Sequence, residues 1–221
     1  MNASRSAGFA NKTTLFLIAG ALAAGLGLTL AQKYFHAPAT PAAAPAPALK
    51  AVRLIQPARA LPDYRLTQAD GSELTPATLR GHWTLVFLGF TQCPDVCPTT
   101  LADLAKAQKE WERMPAATRP RLLFVSVDPE RDTPQILGDY AHHFHADTLT
   151  ATTAEPALHD FAQSLGLVYM KVPLEGAGYT MDHSATMIVL DPEGRQAGLI
   201  RPPLVPADIA SDLRLLTEQK R

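Results

Sequence analysis

The run TLVFLGF, Thr84–Phe90, has the length of a strand and is apolar almost throughout. A strand with one wet face alternates polar and apolar residues, whereas a continuous run fits a central strand covered on both sides. RLLFVSVD, Arg121–Asp128, repeats the pattern. Between the two runs, Leu101, Leu104, Ala105 and Trp111 recur near helical period. Two buried strands joined through a helix form a parallel βαβ pair.

The rest of the domain extends this unit. YRLTQADGSELT alternates around Asp70 and Gly71, a hairpin signal. Thr133 caps and Pro134 opens a helix through QILGDYAHHFH. Glu155–Leu165 reads as another helix, stopped by Gly166. LVYMKV, ATMIVLD and QAGLIR read as strands, the last two joined by a turn at Asp191–Gly194, and Pro206–Gln219 closes as a helix. The expected fold is α/β: a thioredoxin-like mixed sheet flanked by helices, over residues 61–221.

The first sixty residues are of another kind. Residues 13–32, TTLFLIAGALAAGLGLTLAQ, carry no charge and are long enough to cross a bilayer as a single helix. Arg5 and Lys12 precede this run and Lys33 follows it, a bias that places residues 1–12 in the cytoplasm. A signal peptide cleaved after Thr29–Ala31 is the rival reading, and both readings export the domain. Residues 33–60 include APATPAAAPAPA, Ala37–Ala48, whose alternating Pro and Ala make a semi-rigid spacer. The expectation is a single-pass protein of a bacterial inner membrane with its C-terminal domain in the periplasm. A formal charge of −1 leaves no basic excess for nucleic acid.

The chain of 221 residues has two cysteines, Cys93 and Cys97, both in TQCPDVCPTT. The loop they close is too small to staple a fold. They stand where the first central strand ends and the first helix begins, the end of an open α/β sheet where active sites gather. Pro98 suits a first helical position. That puts Cys97 at or near the N-cap, where the helix dipole favours a thiolate. A two-residue spacer would mark a thiol–disulfide oxidoreductase, but three residues separate this pair. Two soft sulfurs with room between them suit Cu(I), whereas zinc calls for four ligands in a closed site. On these residues alone a redox pair, a metal pair and two small buried apolar residues all remain open.

Other candidates lie further along the chain. His183, in MDHSATMIVLD, can supply a third ligand, with Asp182 and Ser184 placed to orient its ring. A solvated loop histidine is the plain alternative. HHFH, His142–His145, suggests a metal site by composition but falls at a helix end, where such residues are ordinary. Asp128, in DPERDTP, falls at the cysteine end of the sheet, either beside the site or as a turn residue before a helix cap.

Three stretches, GHWTLVFLGFTQCPDVCPTTL, FVSVDPERDTP and DHSATMIVLDPEG, stand in the order of the signatures of the Sco/SenC family. From about Leu61 onward the chain resembles that family. The resemblance implies a membrane-anchored thioredoxin-like domain that binds copper, as Cu(I), Cu(II) or both. It also implies service to the binuclear copper site of cytochrome c oxidase. By position it makes Cys93 and Cys97 the thiolate ligands and redox pair, and His183 the imidazole ligand. Gln92 stands where relatives commonly carry histidine. The implied role is a copper chaperone, not an enzyme in the strict sense. Its partners would be the copper-bearing oxidase subunit or another copper protein, and an external thiol reductant. The alternative is a thiol–disulfide oxidoreductase that keeps a recipient's cysteines reduced. A histidine ligand is unnecessary for disulfide exchange, so His183 separates the two.

Overall fold

The structure is a computed structural model and describes residues 12–35, 48–176 and 178–219. Helix α1 (Lys12–Phe35) belongs to one unit and the body from residue 48 onward to another. A helix of 24 residues is roughly 36 Å long at the usual rise, enough for a hydrocarbon layer of about 30 Å. Its side chains from Thr14 to Leu30 are all exposed, and by length and composition it can cross a membrane. The sequence's short N-terminus and most of its Pro/Ala spacer lie outside the described residues.

In chain order the body runs β1 (Arg53–Arg59), β2 (Leu66–Gln68), β3 (Glu73–Leu74), α2 (Pro76–Leu79), β4 (Thr84–Gly89), α3 (Val96–Trp111) and β5 (Arg121–Ser126). It continues with α4 (Pro134–His142), β6 (Leu149–Thr152), α5 (Ala157–Ser164), β7 (Tyr169–Pro173), β8 (Tyr179–His183), β9 (Met187–Leu190), β10 (Gln196–Ile200) and α6 (Pro206–Glu218). Eight strands form one sheet in the order β1-β10-β9-β4-β5-β6-β2-β3, and β7 and β8 form a separate two-stranded sheet. The expected mixed sheet with flanking helices is what forms.

Strand β4 sits at the centre, and all six of its residues are buried. It pairs in parallel with β5, from Thr84 opposite Arg121 to Gly89 opposite Ser126. On its other side it runs antiparallel to β9, Thr84 opposite Leu190. This pairing on both edges, with side chains covered on both faces, explains why β4 reads as an unbroken apolar run. The ends of β4 and β5 therefore emerge side by side, followed by the cysteine loop and by the DPERDTP segment. The predicted hairpin forms between β2 and β3. Gly71 turns with φ +81°, and the Asp70 carboxylate accepts the Ser72 N–H at 2.9 Å. Thr133 caps α4 as expected, accepting the Ile136 N–H at 3.3 Å.

Three strands go beyond the sequence reading. The sheet begins upstream of Leu61, with β1 in the segment read as spacer. Pro57 makes that stretch look unlike a strand, but β1 is an edge strand, where a missing N–H is tolerated. Strand β6, LTAT, is short and half threonine; it forms because β5 and β2 flank it. Strand β8 is stabilised by its hairpin partner β7. A further correction concerns α3. The helix starts at Val96 with Asp95 as N-cap, so Pro98 is its third residue and Cys97 its second. Proline is accommodated there because the first four N–H groups of a helix have no intrahelical partner.

The entry to the body is fastened by one carboxylate. Asp212 on α6 is 1% exposed, and its Oδ2 accepts the N–H groups of Lys50, Ala51 and Val52 at 2.9, 2.7 and 2.9 Å. Lys50 also pairs with Asp208 at 3.3 Å. Asp212→Ala leaves these amides unpaired, so stability is expected to fall by about 2–3 kcal/mol, read as a lower midpoint in denaturant unfolding of the body. A loss below about 0.5 kcal/mol, the level of an ordinary surface substitution, goes against this role.

Candidate metal centre

The chain leaves β4 through Phe90 and folds the cysteine loop across the ends of the strands. The loop is fixed at its start by Asp132, a fully buried carboxylate just after β5. Asp132 accepts the Thr91 N–H at 2.9 Å, the Thr91 hydroxyl at 2.5 Å and the Ser126 hydroxyl at 2.5 Å. A buried charge is tolerable when such donors surround it. The next turn is closed by the Cys93 N–H donating to the Phe90 carbonyl at 3.4 Å.

Both cysteines are free thiols. Cys97 is fully buried, and Cys93 is half-buried. The Cys97 N–H, in the first turn of α3, donates to the Cys93 sulfur at 3.3 Å. Cys97 thus spends its helix-terminal amide on its neighbour while its own side chain points inward. Burial pushes the Cys97 thiol well above the ordinary thiol range. Desolvation acts against the lowering expected from the helix terminus.

Room for the Cys97 sulfur comes from Gly89, the last residue of β4. A methyl group on Gly89 would stand 3.0 Å from that sulfur and 2.7 Å from Cε2 of Phe124. A glycine inside an otherwise branched and aromatic strand is the sequence signal of such a close approach.

His183 ends β8 and brings its ring over Cys97, with Nε2 3.5 Å from Sγ. Its Nδ1 faces the Ser184 carbonyl at 3.2 Å. A carbonyl only accepts, so Nδ1 carries the proton and Nε2 presents its lone pair to the sulfur. Burial also lowers the His183 pKa, which keeps the ring neutral, the form that ligates metals. The rings of Phe87 and Phe90 each meet the imidazole edge-on at 6.1 Å. The orienting contact expected from Ser184 is made by its main chain. The Ser184 hydroxyl instead bonds Val168, accepting its N–H at 3.0 Å. Asp182 is exposed and alternates onto the other face of β8, opposite Met170.

The structure thus brings together Cys93, Cys97 and His183, with Cys97 touching both of the others. Among the described residues no three His, Cys, Asp or Glu side chains already surround one point as a closed metal cage. The arrangement is an open string of two sulfurs and one imidazole. Soft donors of this kind suit copper. The HHFH segment lies apart from this string: His142 bonds the Thr148 carbonyl at 3.1 Å, and His145 bonds Glu112 at 3.1 Å. Asp128 is 1% exposed and is taken up by Arg131 and by the Tyr179 hydroxyl, the latter at 2.8 Å. It is a structural counter-ion beside the site. Asp132 and Arg131 were not legible as site residues, because their roles depend on which loops the sheet places side by side; for Gly89 the one signal was a glycine inside a branched and aromatic strand.

The SCO1/SenC family model matches residues 53–218. A Stutzerimonas stutzeri chain described as a candidate copper-binding protein is 34% identical over 155 residues, covering 69% of this chain and 74% of that one. The mitochondrial SCO1 homolog 1 of Arabidopsis thaliana is 38% identical over 131 residues, 59% of this chain but 39% of the relative's length. The crystal structure of Arabidopsis thaliana ScoI with copper bound superposes with a TM-score of 0.66 at 30% identity, over 72% of this chain and 99% of that one.

The close contact at Gly89 has a measurable consequence. Gly89→Ala is expected to cost about 1–3 kcal/mol by overpacking and to push the Cys97 sulfur out of its recess, so that alkylation of Cys97 accelerates in the folded protein. Unchanged stability together with an unreactive Cys97 rules out the crowding.

Proposed function

This chain belongs to the SCO1/SenC family, and on that premise we propose that it is a membrane-anchored copper chaperone. Cys93, Cys97 and His183 hold one copper ion, which the domain delivers to the binuclear copper site of cytochrome c oxidase or to another copper protein. The observation that carries this reading is the geometry at Cys97, whose N–H meets the Cys93 sulfur at 3.3 Å and whose own sulfur lies 3.5 Å from Nε2 of His183, the nitrogen turned away from the Ser184 carbonyl. A relative sharing the fold has been solved with copper bound.

The residues act as follows. The two thiols lose their protons as the metal enters, because thiolate is the ligating form. His183 adds a neutral nitrogen, which widens the site's tolerance from Cu(I) toward Cu(II). A recipient's cysteines displace these ligands one at a time. Oxidation of Cys93 and Cys97 to a disulfide releases two protons and two electrons to an acceptor and removes both sulfur ligands. An external thiol reductant reverses it by exchange and readies the site for loading. Helix α1 is the anchor, residues 13–32 in its membrane-spanning part. It holds the domain at the outer face of a bacterial inner membrane, in the periplasm, with the Pro/Ala segment as spacer.

A second reading has one observation in its favour. The half-buried Cys93 stands next to a buried partner thiol, an arrangement that also suits a thiol–disulfide oxidoreductase keeping a recipient's cysteines reduced.

His183→Ala separates the two. Copper retention against a competing chelator is expected to fall about tenfold or more, as for a lost ligand or its support, while the dithiol–disulfide equilibrium in a glutathione buffer barely moves. Equal copper stoichiometry and affinity in this variant would falsify the three-ligand site. Loading should also release protons and strengthen as pH rises. The sign follows from Cys97, whose raised pKa leaves it a thiol at neutral pH that must give up its proton to ligate. Proton release in weakly buffered solution, reduced in Cys97→Ser, which keeps only the Cys93 thiol, checks this.

A further inference from the structure

We propose that Arg131 is a positioning residue that clamps the histidine-bearing hairpin onto the cysteine loop, and so controls how firmly the site holds its metal; the link to metal rests on the copper reading above. The need for a clamp follows from the topology. Strands β7 and β8 form their own two-stranded sheet, outside the main ladder. Strand β8 is therefore held to the body chiefly by its inward side chains, Tyr179, Met181 and His183, which alternate onto one face.

Arg131 reaches both halves of the site from the loop after β5. Its Nη1 donates to the Gln92 side chain at 3.1 Å, next to Cys93, and to the Tyr179 carbonyl at 3.0 Å, at the start of β8. Its guanidinium carbon lies 3.8 Å from the centre of the Tyr179 ring. It also lies 5.9 Å from that of Phe90, the ring that packs edge-on against His183. The Nε bonds Asp128, whose other oxygen accepts the Tyr179 hydroxyl at 2.8 Å. Arginine, carboxylate and phenol thus close a ring of contacts around the outer end of β8. The planar fork matters: a lysine keeps the charge but cannot face Asp128, Gln92 and Tyr179 at once. Outside this ring, the side of the hairpin facing Arg131 is secured by Lys171, which pairs with Glu130 at 2.6 Å, an exposed contact of little strength.

The test is Arg131→Lys in the full chain in detergent micelles, with two readouts. Without metal, hydrogen–deuterium exchange across residues 179–184 is expected to accelerate about tenfold, with the strands of the main sheet unchanged, as for a locally opening segment. With copper, retention against a chelator is expected to fall about tenfold, the usual scale for losing the support of a ligand. In a His183→Ala background the same substitution should cause no further loss, because Arg131 acts through His183. Unchanged exchange overturns the clamp, and so does a copper loss that simply adds to that of His183→Ala. If His183→Ala alone retains copper like the wild type, the ligand reading fails, and the exchange measurement by itself decides the clamp. Should Arg131→Lys not fold, Tyr179→Phe removes only the hydroxyl, which bonds Asp128 at 2.8 Å and, more weakly, Glu130 at 3.3 Å. It is expected to accelerate exchange in the same segment by about threefold, in keeping with a single hydrogen bond, and no acceleration overturns the proposal.

Discussion

The contact between Gly89 and the Cys97 sulfur sets the terms for the rest of the site. Strand β4 is buried on both faces and stays in register with β5 as far as Gly89, so its end has little freedom to make room. A residue without a side chain at that end lets the first turn of α3 approach closely enough for Cys97 to disappear from solvent. Once the sulfur is there, its neighbours are decided. The half-buried Cys93 lies across the first turn of the helix, and the histidine of β8 closes from above.

Buried carboxylates fasten the loops of the body, two of them beside this centre. Asp132 gathers Thr91 and Ser126, tying the cysteine loop to the end of β5. Asp128 faces Arg131 and Tyr179, and Asp212 collects three successive amides where the chain enters the body. Each is almost completely covered, and a charge in that position is stable only when several donors converge on it. The same requirement makes these groups directional. A carboxylate surrounded by donors from two loops holds those loops at a defined distance, which hydrophobic packing alone specifies less sharply.

Burial also shapes the chemistry of the thiol. A desolvated sulfur with a raised pKa is quiet toward oxidants and electrophiles, since thiolate is the reactive form. In the chaperone reading, metal and protons therefore compete for one pair of sulfurs, with a neutral imidazole already turned toward them.

Much of this was determined by the sequence alone. The unbroken apolar runs of β4 and β5, the helical period of α3 and the turn at Gly71 required an α/β sheet with the cysteines at a strand–helix junction. The match of three motifs in order pointed to the family. Those signals are local: they come from side-chain period, from proline and glycine stereochemistry and from residue spacing, and they need no knowledge of what lies nearby in space. The edge strand β1, the short β6 and the hairpin strand β8 escaped notice because pairing partners far along the chain stabilise them. The tertiary structure alone decided that Cys97 is buried, that the Ser184 carbonyl orients His183, that Asp128 and Arg131 meet Tyr179 of β8, and that Asp132 ties the cysteine loop to β5. Desolvation, hydrogen bonding and ion pairing act across space, and which groups they join is settled only when the sheet aligns its strand ends.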